Sequence, residues 1–119
     1  MEKINIADKF SRFQEQWSPK IIGKLNGQEV KIAKIQGEFI WHSHEQEDEL
    51  FLVIDGHVTI KLRDRDIELE EGEMFIVPKG VEHKPVAEQE AQILMFEPAS
   101  TRNTGNIESE RTVSNPEEL

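Results

Sequence analysis

The sequence predicts an all-β protein, a barrel or sandwich of short strands, with one helix ahead of it and a polar extension behind it. Three observations lead there. A helical repeat of apolar residues is confined to the first 17 positions. From Lys20 onward, short apolar runs are separated by Gly, Pro, Asn and Asp at regular spacing, the pattern of an antiparallel β domain. A chain of 119 residues is long enough for one core and too short for two.

Each element has a local reason. Ile6, Phe10, Phe13 and Trp17 draw one apolar stripe over a helix at 5–16, which Asn5 caps and Ser18–Pro19 stops. Asn26–Gly27 favours a tight type I′ hairpin between Ile21–Leu25 and Glu29–Ile35. In the second of these strands Val30 and Ile32 form a buried face, with Lys31 turned outward. Further strands are expected at 38–44, 49–54, 57–63, 66–69, 73–77 and 91–97, with Asp55–Gly56 as a second tight hairpin turn. Residues 99–119 carry only Ala99, Ile107, Val113 and Leu119 as apolar side chains. Such a segment is mobile, or lies across the barrel or a partner. The organisation is therefore a lead-in over 1–19, a barrel over 20–98 and an extension over 99–119.

Composition narrows the chemistry. Fourteen basic against 24 acidic residues give a formal charge of −10, which disfavours nucleic acid and anionic membranes as partners. The absence of cysteine removes disulfides, thiolate metal sites and cysteine nucleophiles. No apolar run is long enough to span a bilayer, and the first ten residues lack the apolar stretch of a secretory signal, so the expected location is cytoplasmic.

The informative stretch is Trp41–His42–Ser43–His44–Glu45–Gln46–Glu47–Asp48–Glu49. On a strand His42 and His44 share a face. A hairpin looping over Glu45–Asp48 sets His44 opposite Glu49 and His42 opposite Phe51, so two imidazoles and a carboxylate converge at metal-binding distance. Pairing through Asp55–Gly56 sets Glu49, Phe51 and Val53 against Leu62, Ile60 and Val58 on the inner face and sends His57 outward. An unpaired carboxylate on an apolar face is costly, and a cation with two histidines resolves that cost. His83, just after Pro78–Lys79–Gly80, opens the returning strand and is the fourth candidate ligand. Ile40, Phe51, Val53 and Ile60 are expected around it. Arg63 and Arg65 fall in a turn and Lys61 points outward with Lys31, so no cationic phosphate pocket is expected inside.

Gly37-x4-His42-x-His44-x4-Glu49-x6-Gly56 and Gly72-x5-Pro78-x-Gly80-x2-His83 resemble the two motifs of the cupin superfamily in its small, single-domain form. The spacer after Gly37 is one residue short, and Ala87 stands where the second motif closes on Asn; neither is a ligand position. The resemblance implies a double-stranded β-helix (jelly-roll) barrel, usually homodimeric, with His42, His44, Glu49 and His83 holding one divalent transition metal per chain. Iron, manganese, nickel, copper and zinc all suit three imidazoles and a carboxylate. It also implies a small organic ligand and an enzyme of the dioxygenase or isomerase type, or else a non-catalytic metabolite- or metal-binding module; no catalytic residue is assigned. Leu50, Leu52 and Ile54 make the outer face of their strand apolar, to be covered by the helix or by a second subunit.

Overall fold

The computed structural model describes residues 1–119, which form one short helix and eight strands. Helix α1 covers Ile6–Phe10; the strands are β1 (Lys20–Leu25), β2 (Gln28–Glu38), β3 (Glu49–Asp55), β4 (Val58–Leu62), β5 (Asp66–Leu69), β6 (Met74–Val77), β7 (His83–Pro98) and β8 (Glu117–Glu118). The all-β expectation holds. Asn26 and Gly27 both have positive φ, as a type I′ turn requires, and join β1 to β2 with Leu25 opposite Gln28.

Strand β7 is the spine. Along one edge it pairs with β2, from Gln28 opposite Pro98 to Glu38 opposite Val86. Along the other edge its first half pairs with β4 and its second half with β3, which in turn carries β6. The β2–β7 ladder is interrupted between Ile35 and Gly37, where Glu88, Gln89 and Glu90 are exposed and unpaired with β2. Gly37, with φ of 84°, supplies the left-handed residue for this break. The sheet then folds onto itself without closing. Ala33, Ile35, Phe51, Val53, Ile93 and Met95 pack with Val58, Ile60, Leu69 and Ala87 in a single core.

Four expectations are corrected here. The helix is one turn and a half rather than 5–16: Asn5 caps it by accepting from the Asp8 amide, but the chain leaves helical geometry after Phe10. Burial of Phe10 and Phe13 against Ile22 and Ile32 sets the path there, overriding the periodic pattern. Second, β3 and β4 do not form a hairpin through Asp55–Gly56; each pairs instead with a different half of β7. The inner faces are nevertheless as expected, with Glu49, Phe51, Val53, Val58 and Ile60 all buried. Alternation fixes which side of a strand is apolar and says nothing about its neighbour. Third, residues 39–48 are irregular apart from one bridge at His42, so there is no hairpin over Glu45–Asp48. Fourth, Lys31 points inward. Both faces of β2 are buried, Val30 and Ile32 under Phe10 and Phe13, and Lys31, Ala33 and Ile35 toward the interior.

The extension lies across the body. Residues 117–118 add a parallel strand to β1, and the Leu119 amide donates to Ile21 O at 2.9 Å. Phe10 is 2% exposed at the centre of the outer cluster. Phe10→Ala should lower stability by about 3–5 kcal/mol, read as a shift of the urea midpoint at constant slope.

Candidate metal centre

The four candidate ligands arrive from three places in the chain and meet at one end of the sandwich. Glu49 opens β3 on its inner face, and His83 opens β7. His42 is held opposite His83 by a reciprocal backbone pair, His42 N to His83 O at 3.1 Å and His83 N to His42 O at 2.9 Å. His44 follows two residues later, its carbonyl accepting the Gly80 amide at 2.7 Å. This last bond ties the first histidine pair to the Pro78–Gly80 turn that delivers His83. All four residues are buried, and one ligand atom from each lies within 4.8 Å of every other.

Their orientations suit a cation. His42 Nδ1 lies 2.9 Å from Ile40 O and His83 Nδ1 lies 3.0 Å from Val81 O. Donation of Nδ1–H to these carbonyls leaves Nε2 of each ring as a lone pair turned toward the centre. Glu49 Oε1 stands 3.3 Å from both His44 Nε2 and His83 Nε2. Both nitrogens of His44 are buried without a hydrogen-bond partner. The approach of His44 Nε2 to Glu49 therefore lacks hydrogen-bond geometry, and the buried imidazole is left unsatisfied, which is costly unless another atom accepts its lone pair. A divalent ion at the centroid would do so, and three neutral imidazoles with one carboxylate form a donor set for a first-row transition metal. The residues fit the group.

Electrostatics agree. Burial, reinforced by the nearby His83 ring, lowers the His42 pKa from 6.5 to about 4, so this ligand stays neutral in mildly acidic solution. Burial works against the charge of Glu49. The close polar contacts with Glu97, His44 and His83 outweigh it and hold its carboxyl well below the usual range.

Glu97 is a residue that the sequence did not single out. Burial first, then the charge of Glu49, pushes its carboxyl well above the usual range, against the opposing pull of Lys31. Its Oε2 is buried without a hydrogen-bond partner, beside the Glu49 carboxylate. Its Oε1 accepts from the inward-turned Lys31 at 2.9 Å, and Lys31 Nζ also reaches Thr101 O at 3.4 Å. A buried Lys–Glu–Glu chain thus backs the ligand cluster. The only sequence signal for it was the inward parity that Glu97 shares with Ile93 and Met95.

A cavity opens beside the ligands. His42 and Glu49 share its wall with Trp17, Ala33, Ile35, Phe39, Phe51, Ile93, Met95 and Asn103. Its empty volume, counting the open mouth, is about 410 Å³. Phe39, not the expected Ile40, faces inward, because 39–44 is not a regular strand. Trp17, at a left-handed φ of 58°, stacks on Phe39 with centroids 4.8 Å apart. The extension reaches the same place: Asn106 and Ser43 exchange two hydrogen bonds, Ser43 N to Asn106 Oδ1 at 3.0 Å and Asn106 N to Ser43 O at 2.9 Å. Gly105 is packed so closely there that a Cβ would lie 2.2 Å from Ser43 O. His57 is on the outside, 3.0 Å from Glu68, as expected.

The Cupin domain family matches residues 28–97, which contain all four candidate ligands. This chain belongs to the cupin family. It is 48% identical to a cupin-2 domain containing protein from Shewanella frigidimarina, whose crystal structure superposes with a TM-score of 0.79 over 80% of this chain and 93% of that one. It is 34% identical over 64 residues to the uncharacterized protein YdbB of Bacillus subtilis, covering 53% of this chain and 57% of YdbB. It is 26% identical over 101 residues to 3-hydroxyanthranilate 3,4-dioxygenase of Xenopus laevis, covering 79% of this chain. The cupin thus spans just over half the length of the Bacillus relative and 36% of the dioxygenase.

The low pKa of His42 has a consequence for stability. Between pH 6.5 and about 4 the unfolded chain protonates this histidine while the folded one does not, so stability is retained above that window and lost as pH falls through it. Metal-free protein should lose roughly 3 kcal/mol of unfolding free energy across the window. Urea titrations at stepped pH measure it, and His42→Gln should lack that component.

Proposed function

We propose that this cupin binds one divalent transition metal through His42, His44, Glu49 and His83, and that it acts there on a small organic molecule as a dioxygenase or isomerase. The observation that carries the reading is the buried, partnerless His44 imidazole in a cluster of four ligand atoms lying within 4.8 Å of one another. The cavity wall supports the second half, because His42 and Glu49 line a largely apolar space. A bound metal supplies Lewis acidity and open coordination positions for a chelating oxygen, water or dioxygen. The protein's part is to orient and to exclude water. Ile40 O and Val81 O fix two imidazoles, Glu97 and Lys31 steady the carboxylate, and Trp17, Phe39 and Phe51 present aromatic surface to a flat ligand. The alignment with 3-hydroxyanthranilate 3,4-dioxygenase over 79% of this chain favours ring or enol chemistry with dioxygen over the other reactions of such sites.

We also infer a homodimer. Met74 and Ile76 of β6 are 54% and 48% exposed, and they pair with the half-buried Leu52 and Leu50 of β3. The helix cluster covers Ile54 but not this stretch, leaving an apolar strip that a second copy would bury.

Purified protein should carry close to one metal per chain by elemental analysis, and His44→Ala should lose at least nine-tenths of it; unchanged metal in the variant would refute the site. Anaerobic Fe(II) loading followed by oxygen uptake against small phenols, thiols and dicarbonyls should reveal turnover, whereas silence across that panel assigns the chain to the binding modules. Light scattering should give twice the chain mass, falling to the monomer for Ile76→Glu with the unfolding midpoint of the monomer otherwise retained.

A further inference from the structure

We propose that Arg111, delivered by the C-terminal extension, is a carboxylate-binding residue at the mouth of the cavity. The small molecule taken up would then be an organic anion, held by the metal at one end and by this guanidinium at the other. The inference deepens the proposed function and rests on it for the position of the ligand's other end.

The guanidinium of Arg111 sits over two rings of the cavity wall, with its Cζ 5.5 Å from the Trp17 centroid and 5.6 Å from the Phe39 centroid. Phe39 in turn meets the His42 imidazole edge to face, at 5.4 Å between centroids. One aromatic ring therefore separates the cation from a metal ligand. Arg111 Nη1 is buried and has no hydrogen-bond partner. In a chain with 24 carboxylates, two of them flanking at Glu108 and Glu110, an arginine left in this state is notable. Contact with two ring faces offsets part of the cost of burying the charge, but it satisfies no N–H.

The position is built. Asn103, itself in the cavity wall, donates from Nδ2 to Arg111 O at 2.8 Å and accepts the Val113 amide at 2.8 Å. The Arg111 amide donates to Ser109 Oγ at 3.1 Å, and the fully buried Thr104 bonds Thr112 at 2.7 Å. Upstream, the close contact of Gly105 and the Asn106–Ser43 pair anchor the segment against the ligand loop itself. A guanidinium held by its backbone, with an unpartnered Nη1 against two aromatic rings of the cavity wall, matches a planar carboxylate through paired N–H···O bonds.

The test uses the full chain loaded with Zn(II), which is redox-inert, and two probes: 3,4-dihydroxybenzoate and its neutral counterpart catechol. Isothermal titration should show wild type preferring the acid. Arg111→Gln should bind the acid about 10- to 100-fold more weakly, the range for a charged hydrogen bond, while catechol affinity and zinc content stay unchanged. Arg111→Lys should recover part of the loss. Equal wild-type affinity for the two probes, binding of neither, or equal weakening of both in Arg111→Gln would overturn the proposal. If wild type holds no zinc, the metal reading fails separately. Benzoate titrated into metal-free protein then decides Arg111 alone: weaker binding by Arg111→Gln upholds it and equal binding overturns it.

Discussion

A carboxylate on the inside of an apolar sheet constrains everything around it. Glu49 occupies a position in β3 that alternation reserves for Phe51 and Val53, and it is as buried as they are. An isolated charge there would be expelled or neutralised. The sandwich instead surrounds it with polar groups that are themselves buried: two imidazole nitrogens at 3.3 Å, a carboxyl from Glu97, and behind that the Lys31 ammonium. A divalent ion would complete this set, adding positive charge beside the carboxylate.

Strand β7 makes that gathering possible. Its 16 residues place His83 at one end and Glu97 at the other. The break opposite Gly37 lets β7 belong to both layers, so that His83 pairs with the His42 segment while Met95 faces Phe51. Cavity and ligand cluster share the space between the layers, which is why Ile93 and Met95 are both core residues and cavity wall. Stability and function draw on the same packing here.

The rim is made differently. Trp17, Phe39, Asn103 and Arg111 come from irregular segments before, within and after the sandwich. Of the innermost groups, Glu49, His83 and Glu97 rest on regular strands, and the irregular segment bearing His42 and His44 is bridged to His83. These outer groups rest on loops fastened by side-chain hydrogen bonds, and loops are where specificity can differ between proteins sharing one scaffold.

The sequence by itself determined the local and the patterned. Asn26–Gly27 had to be a tight turn because of its backbone preference, the inner face of β3 followed from alternation, and His42, His44, Glu49 and His83 were legible because motif spacing ties them to glycine and proline turns. Tertiary structure decided what alternation leaves free. It chose β7 rather than β4 as the neighbour of β3, since a strand's apolar face is the same whichever partner it has. It turned Lys31 inward, because a strand buried on both sides gives no sign of which side is the interior. It brought Glu97 to Glu49 and laid the polar extension over the mouth, contacts between residues far apart in the chain that leave no periodic trace.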